Sequence, residues 1–88
     1  MSFEILIKKS VKKFIFSLDQ KIRNKIINLI EILASNPLPF RYFDLVKLKG
    51  YRNFYRIRIG KIRIIYEVDF DKRRIIVWGI KYRGKAYK

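Results

Sequence analysis

YRNFYRIRIGKIRIIYEV, residues Tyr51 to Val68, reads as two β-strands joined at Gly60-Lys61. If Ile59 and Ile62 flank a two-residue loop, glycine at the first loop position suits a type II′ turn, a favoured hairpin connection. Arg58 then faces Arg63, Ile57 faces Ile64 and Tyr55 faces Tyr66. One side of the hairpin is apolar core, and the other carries Arg56, Arg58 and Arg63. Like charges placed directly opposite each other cost roughly 0.2–1 kcal/mol. A fold has no need of that cost, so a polyanion that all three arginines can bind is the first functional hypothesis.

Composition supports it. The 88 residues suffice for one small domain, 1–88, and a hydrophobic share of 50% implies a compact core rather than a basic tail. Lys and Arg number 22 against 7 acidic residues, for a net charge of +15. Up to Leu45 there are 8 basic and 4 acidic residues, and from Val46 onward 14 and 3, so the second half holds +11 of the +15. Such a field favours nucleic acid, an anionic membrane surface or a strongly acidic protein partner. The chain has neither Cys nor His, which argues against Cys/His zinc sites, thiol nucleophiles and Ser-His catalysis. No signal peptide is read at the N-terminus and no apolar run approaches the ~18 residues of a membrane span, so a cytoplasmic location is expected.

Outward from the hairpin, Phe3, Ile5 and Ile7 alternate with Glu4 and Leu6 as a short first strand, at an edge or paired with a later strand. Ser10 can cap a helix whose Val11, Phe14, Ile15 and Leu18 recur at helical spacing. Asp19 caps a second helix with an apolar stripe of Ile22, Ile26, Leu29, Ile30 and Leu33, ended by Asn36-Pro37. Ile27 and Ile32 fall outside the stripe and are expected to lie under the first helix. Leu38 to Leu48 reads as a connection without periodicity, its aromatics packed down. After a turn at Asp69 to Lys72, the strand Arg74 to Ile80 is apolar on both faces and therefore central. The expected fold is α+β: an N-terminal strand, a two-helix hairpin, then a three-strand antiparallel meander, forming one sheet with the helices on one face.

The arginines then occupy the opposite face, with Lys81, Arg83 and Tyr87 from the C-terminal segment and Lys47 and Lys49 from the preceding loop at its rim. Cations combined with stacking rings suit single-stranded RNA, although Tyr51, Tyr55, Tyr66 and Trp78 read as core rather than as base platforms. Lys47-Leu-Lys-Gly, the run from Tyr55 to Val68 and the C-terminal Lys81-x-Arg83-x-x-x-Tyr87 resemble the RelE/ParE superfamily of toxins from type II toxin–antitoxin pairs. The resemblance covers nearly the whole chain. It implies a RelE-type, ribosome-dependent mRNA endonuclease that needs no metal or other cofactor. By position it matches Arg56, Arg58, Arg63, Lys81 and Tyr87, with Arg83 as a neighbour: Arg58, Arg63, Lys81 and Tyr87 are the catalytic candidates, and Arg56 and Arg83, with Lys47 and Lys49 of the rim, the RNA-binding ones.

That chemistry is attainable by these residues. A 2′-hydroxyl attacking the adjacent phosphate leaves a 2′,3′-cyclic phosphate and a free 5′-hydroxyl, and cations stabilise the charge that builds up. Arg63 and Arg58 can grip the scissile phosphate through planar forks, and Arg56 a neighbouring one. Some relatives carry Lys in the strand that here bears Arg56 and Arg58; in this chain both positions are Arg, which cannot serve as a base. Lys81 and Tyr87 are therefore the titratable candidates, with Lys47 and Lys49 behind them. The resemblance also implies an acidic RelB-like antitoxin in a hetero-oligomeric complex, of a kind that commonly binds its own promoter DNA through the antitoxin. Two rival readings are a ParE-like gyrase-inhibiting toxin and a non-catalytic nucleic-acid-binding module.

Overall fold

The computed structural model of the protein describes residues 2–82. The elements run β1 (Glu4–Ile7), α1 (Lys9–Ser17), α2 (Gln20–Ser35), β2 (Asp44–Lys47), β3 (Phe54–Ile59), β4 (Ile62–Asp69) and β5 (Arg74–Tyr82). The strands form one sheet in the order β1-β5-β4-β3-β2, with β1 parallel to β5 and the other neighbours antiparallel. Both helices pack on one face. Their buried Val11, Ile15, Leu18, Ile26, Leu29 and Leu33 meet the inward residues of the three central strands, from Tyr55 and Ile57 to Ile75 and Val77. At about 1.5–3 kcal/mol for each large apolar side chain removed from water, this interface is the principal stabilising term.

The hairpin register is as expected: Arg58 pairs with Arg63, Ile57 with Ile64 and Tyr55 with Tyr66. Gly60 has φ +56° while Lys61 stays in the ordinary negative range, the sign pattern of a type II′ turn. β5 is central, as its two apolar faces require, and β1 lies at the edge beside it. α2 starts at Asp19, whose side chain accepts a hydrogen bond from the Ile22 N–H at 3.1 Å, and it ends before Asn36-Pro37.

Several local expectations are corrected. Ser10 does not cap α1: the helix begins at Lys9, and its N-cap, Lys8, makes no side-chain capping bond. The stretch read as an aperiodic connection contains β2, so the sheet has one strand beyond the expected meander. The four residues Asp-Leu-Val-Lys alternate too weakly to be recognised, and the strand is specified by its pairing with β3. Phe40 and Tyr42 in that connection are exposed, and of its aromatic residues only Phe43 packs against the core. Ile27 is partly exposed rather than covered by α1 and, with Phe16 and Ile30, lines an apolar groove of about 300 Å³. Among the described residues no helix is long and apolar enough to cross a membrane.

Tyr66 ties sheet to loop. Its ring is fully buried, and its hydroxyl donates to the Pro37 carbonyl at 2.7 Å, fixing the exit of α2 over the sheet. Burial, reinforced by the neighbouring Tyr55, pushes the Tyr66 phenol well above its ordinary value. Because the folded pKa is raised, the stability contributed by the neutral phenol is complete below about pH 10 and is lost as pH rises beyond it. Replacing Tyr66 by Phe leaves the Pro37 carbonyl unpaired and should cost about 1–3 kcal/mol in urea unfolding at neutral pH. The variant should also show a shallower loss of stability above about pH 10 than the parent; an equal alkaline slope would contradict the assignment.

Candidate nucleic-acid interface

Directly opposed residues in a sheet share a face, so the registers assemble a single cross-strand row on the side away from the helices. Asp44 on β2 faces Arg58 on β3, Arg58 faces Arg63 on β4, and Arg63 faces Lys81 on β5. At about 4.8 Å per strand, the three cations span about 10 Å. The adjacent row, one pleat further from the Gly60 turn, runs Val46, Arg56, Ile65 and Gly79. Two-residue alternation along β3 thus sets Arg56 and Arg58 on one face while sending Tyr55 and Ile57 into the core.

Asp44 organises the arginines of β3. Its Oδ2 is 2.7 Å from Arg58 Nη2, a short charge-assisted contact, and its Oδ1 is 3.7 Å from Arg56 Nη2. Both guanidinium groups are half-buried, and Arg56 Nε is buried with no hydrogen-bond partner. The row of three cations and one carboxylate keeps an excess positive charge, and Asp44 holds the Arg58 fork at the sheet edge. Beside it opens a cleft of about 380 Å³ lined by Asp44, Arg58, Tyr42 and Gly60, with Lys25 and Asn28 from α2.

The expected site residues separate into three groups. Arg58, Arg63 and Lys81 come together in the row, and Arg56 stands one pleat away. Lys47 pairs with the buried Tyr55 and so belongs to the helix-bearing side of the edge strand, while Lys49 is exposed in the turn after β2; neither joins the arginine row. Arg83 and Tyr87 lie outside the described residues. Sequence reasoning missed Asp44, because its strand reads as loop; the signal available was an acidic residue flanking the most basic part of the chain.

Tyr51 and Trp78, expected in the core, are exposed instead. A register shift at Ile65/Tyr66 makes Trp78 the extra residue of a β-bulge on β5, and a bulge re-aims side chains in a way that alternation does not foretell. Tyr55 and Tyr66 are core, as expected.

Fold and site define a small α+β domain whose open sheet face concentrates cations. The profile of the ParE toxin of type II toxin–antitoxin systems, parDE, matches residues 5–87. RelE1 of Methanocaldococcus jannaschii is 43% identical over 88 residues, covering 100% of this chain and 98% of that protein. Toxin RelE3 of the same organism is 39% identical over 85 residues, 96% of this chain and 94% of that protein. The crystal structure of the archaeal RelE-RelB complex from Pyrococcus horikoshii OT3 aligns with TM-score 0.87 at 32% identity, over 97% of this chain and 99% of that one. The chain belongs to the RelE/ParE family of type II toxin–antitoxin toxins, and its relatives are of the RelE type.

Neutralising Asp44 tests the electrostatics of the row. Asp44→Asn should tighten binding of a single-stranded oligonucleotide and steepen its salt dependence, by about 0.7 in the log–log slope for each additional phosphate neutralised. Unfolding stability should change by no more than about 1 kcal/mol, as for other exposed ion pairs. Fluorescence anisotropy across a salt series checks this; weaker binding by the variant would mean that Asp44 serves mainly to orient Arg58.

Proposed function

We propose that this protein is the toxin of a RelBE-type pair and acts as a ribosome-dependent mRNA endonuclease. The observation that carries the reading is the cross-strand row Arg58–Arg63–Lys81, which lines up three cations on one face with a single carboxylate, Asp44, at its end. Arg63, at its centre, and Arg58 hold the scissile phosphate and stabilise the charge of the transition state. Arg56 binds a neighbouring phosphate. The RNA 2′-hydroxyl is the nucleophile, attacking the adjacent phosphorus and expelling the 5′-oxygen of the next nucleotide, without a metal ion.

Proton transfer falls to Lys81 or Tyr87. An arginine remains protonated at physiological pH, so neither β3 position can accept the 2′-hydroxyl proton. Lys81 is adjacent to Arg63 across the β4–β5 pairing, within reach of the same phosphate. Groups of the ribosome complete the site, since positioning and charge stabilisation are what the described residues supply.

Partnership with an acidic, RelB-like antitoxin follows from two observations. The related Pyrococcus protein crystallised as a RelE-RelB complex, and a net charge of +15 calls for a neutralising chain. Such an antitoxin inhibits by covering the arginine face or displacing the C-terminal segment from it, and the complex binds promoter DNA through the antitoxin. Because the matching profile is described as that of a ParE toxin, gyrase inhibition is the second reading. The complete strand row and the similarity to RelE proteins favour RNA cleavage.

Arg63→Ala should reduce mRNA cleavage in a translating extract by about 100- to 1,000-fold or more, the scale of losing a principal transition-state contact. It should leave folding stability within about 1 kcal/mol, because the substitution also relieves the repulsion with Arg58. Primer extension and thermal unfolding read the two effects, and cleavage at the parental rate would overturn the assignment of Arg63.

A further inference from the structure

Beyond the arginines, the same open face carries a line of aromatic rings. Trp78 stacks on Phe54 with ring centres 6.4 Å apart and planes inclined by 27°. Phe54 in turn contacts Tyr51 at 5.6 Å. The indole N–H of Trp78 donates to Glu67 Oε1 at 3.0 Å, which fixes the plane of the ring. Even so, Trp78 remains 41% exposed and Tyr51 61%. The Lys8 ammonium lies over the indole ring, 4.9 Å from its centroid, so a stacking base would displace this long, flexible side chain and leave its charge for the adjoining phosphate.

We propose that Trp78, braced by Phe54 and Glu67, is a stacking platform for a base of the single-stranded RNA whose phosphates lie on the arginine row. This rests on the RNA reading of that row. The two features are continuous. Along β5 only Gly79 and Ile80 separate Trp78 from Lys81, and Gly79 opposes Ile65 with no side chain of its own. A Cβ placed there would meet nothing nearer than Ile65 Cβ at 4.0 Å, so on β5 no side chain of this face stands between Lys81 and the indole, and Ile65 of β4 borders the track.

Charge sorts the two halves of a nucleotide along this track. The Glu67 carboxylate beside the indole repels phosphate, whereas Arg56 and the row beyond it attract it. Backbone therefore follows the arginines, and the uncharged base turns toward Trp78. A half-exposed, rigid ring next to a cationic groove is the pairing that sequence-tolerant single-strand binders use. A protein partner's apolar side chain is the competing occupant, but Lys8 at the ring and Arg56, in the row that runs through Ile65 to Gly79, favour an anionic polymer with flat rings.

Trp78 is the chain's one tryptophan, so its fluorescence reports this spot alone. The full-length protein is titrated with a short 2′-O-methyl oligoadenylate, which cannot be cleaved, and with an abasic chain of equal phosphate number. Binding of each is followed independently by anisotropy of an end label. Both should bind, with quenching by the oligoadenylate only. Trp78→Ala should weaken oligoadenylate binding by roughly 5- to 100-fold and leave the abasic chain unaffected, with Trp78→Phe in between.

Binding of both without quenching overturns the platform and leaves the arginine row standing. Binding of neither overturns both. Quenching by an acidic amphipathic peptide but not by the oligoadenylate would also overturn it, assigning the ring to a protein partner.

Discussion

The two-residue turn at Gly60-Lys61 forces Arg58 and Arg63 to face each other across β3 and β4, and the remainder of the interface is arranged around that repulsive pair. The register cannot slip by one residue to escape it, because a slip would turn Ile57, Ile64 and Tyr66 out of the core. Apolar burial on the helix side thus enforces an unfavourable juxtaposition on the other. Asp44 at one end partly offsets it through its contact with Arg58, while Lys81 at the other end adds to it. A phosphate seated between the cations would reverse the sign of the whole arrangement.

Sheet order determines which residues share in this. β5 is placed in the centre by its two apolar faces, and its pairing with β4 delivers Lys81 to the row. The bulge opposite Ile65/Tyr66 then brings Trp78 to the same face as the arginines. Because β1 pairs in parallel with β5 at the far edge, Lys8 follows directly from the strand and reaches the indole. Cations and rings from separate segments meet on one surface, held there by backbone pairing rather than by flexible loops. Such rigid placement suits the proposed catalysis by positioning, the kind open to a site rich in arginine and poor in bases.

Much of this is legible in the residues. Period-two alternation and a glycine at the turn specify the β3–β4 register, and helical spacing with Asp19 as cap specifies α2. What escapes has weaker local signals. β2 is four residues long and stabilised by pairing, so it carries little pattern of its own, and Asp44 is hidden with it. Strict alternation sends Trp78 to the core because it makes no allowance for an inserted residue. Proximity in sequence groups Lys47 with the arginines, yet its pairing with Tyr55 puts it on the other side of the edge strand.

A cationic row of this kind can serve RNA cleavage or merely bind a polyanion, and the chemistry of the cut ends distinguishes them. The most direct test is to express the chain in a translating extract and map the 5′ ends of the mRNA together with the end groups. New ends within translated codons, bearing 5′-hydroxyls opposite 2′,3′-cyclic phosphates and absent when ribosomes are withheld, are the predicted result. Intact mRNA accompanied by gyrase-linked DNA breaks would contradict the account.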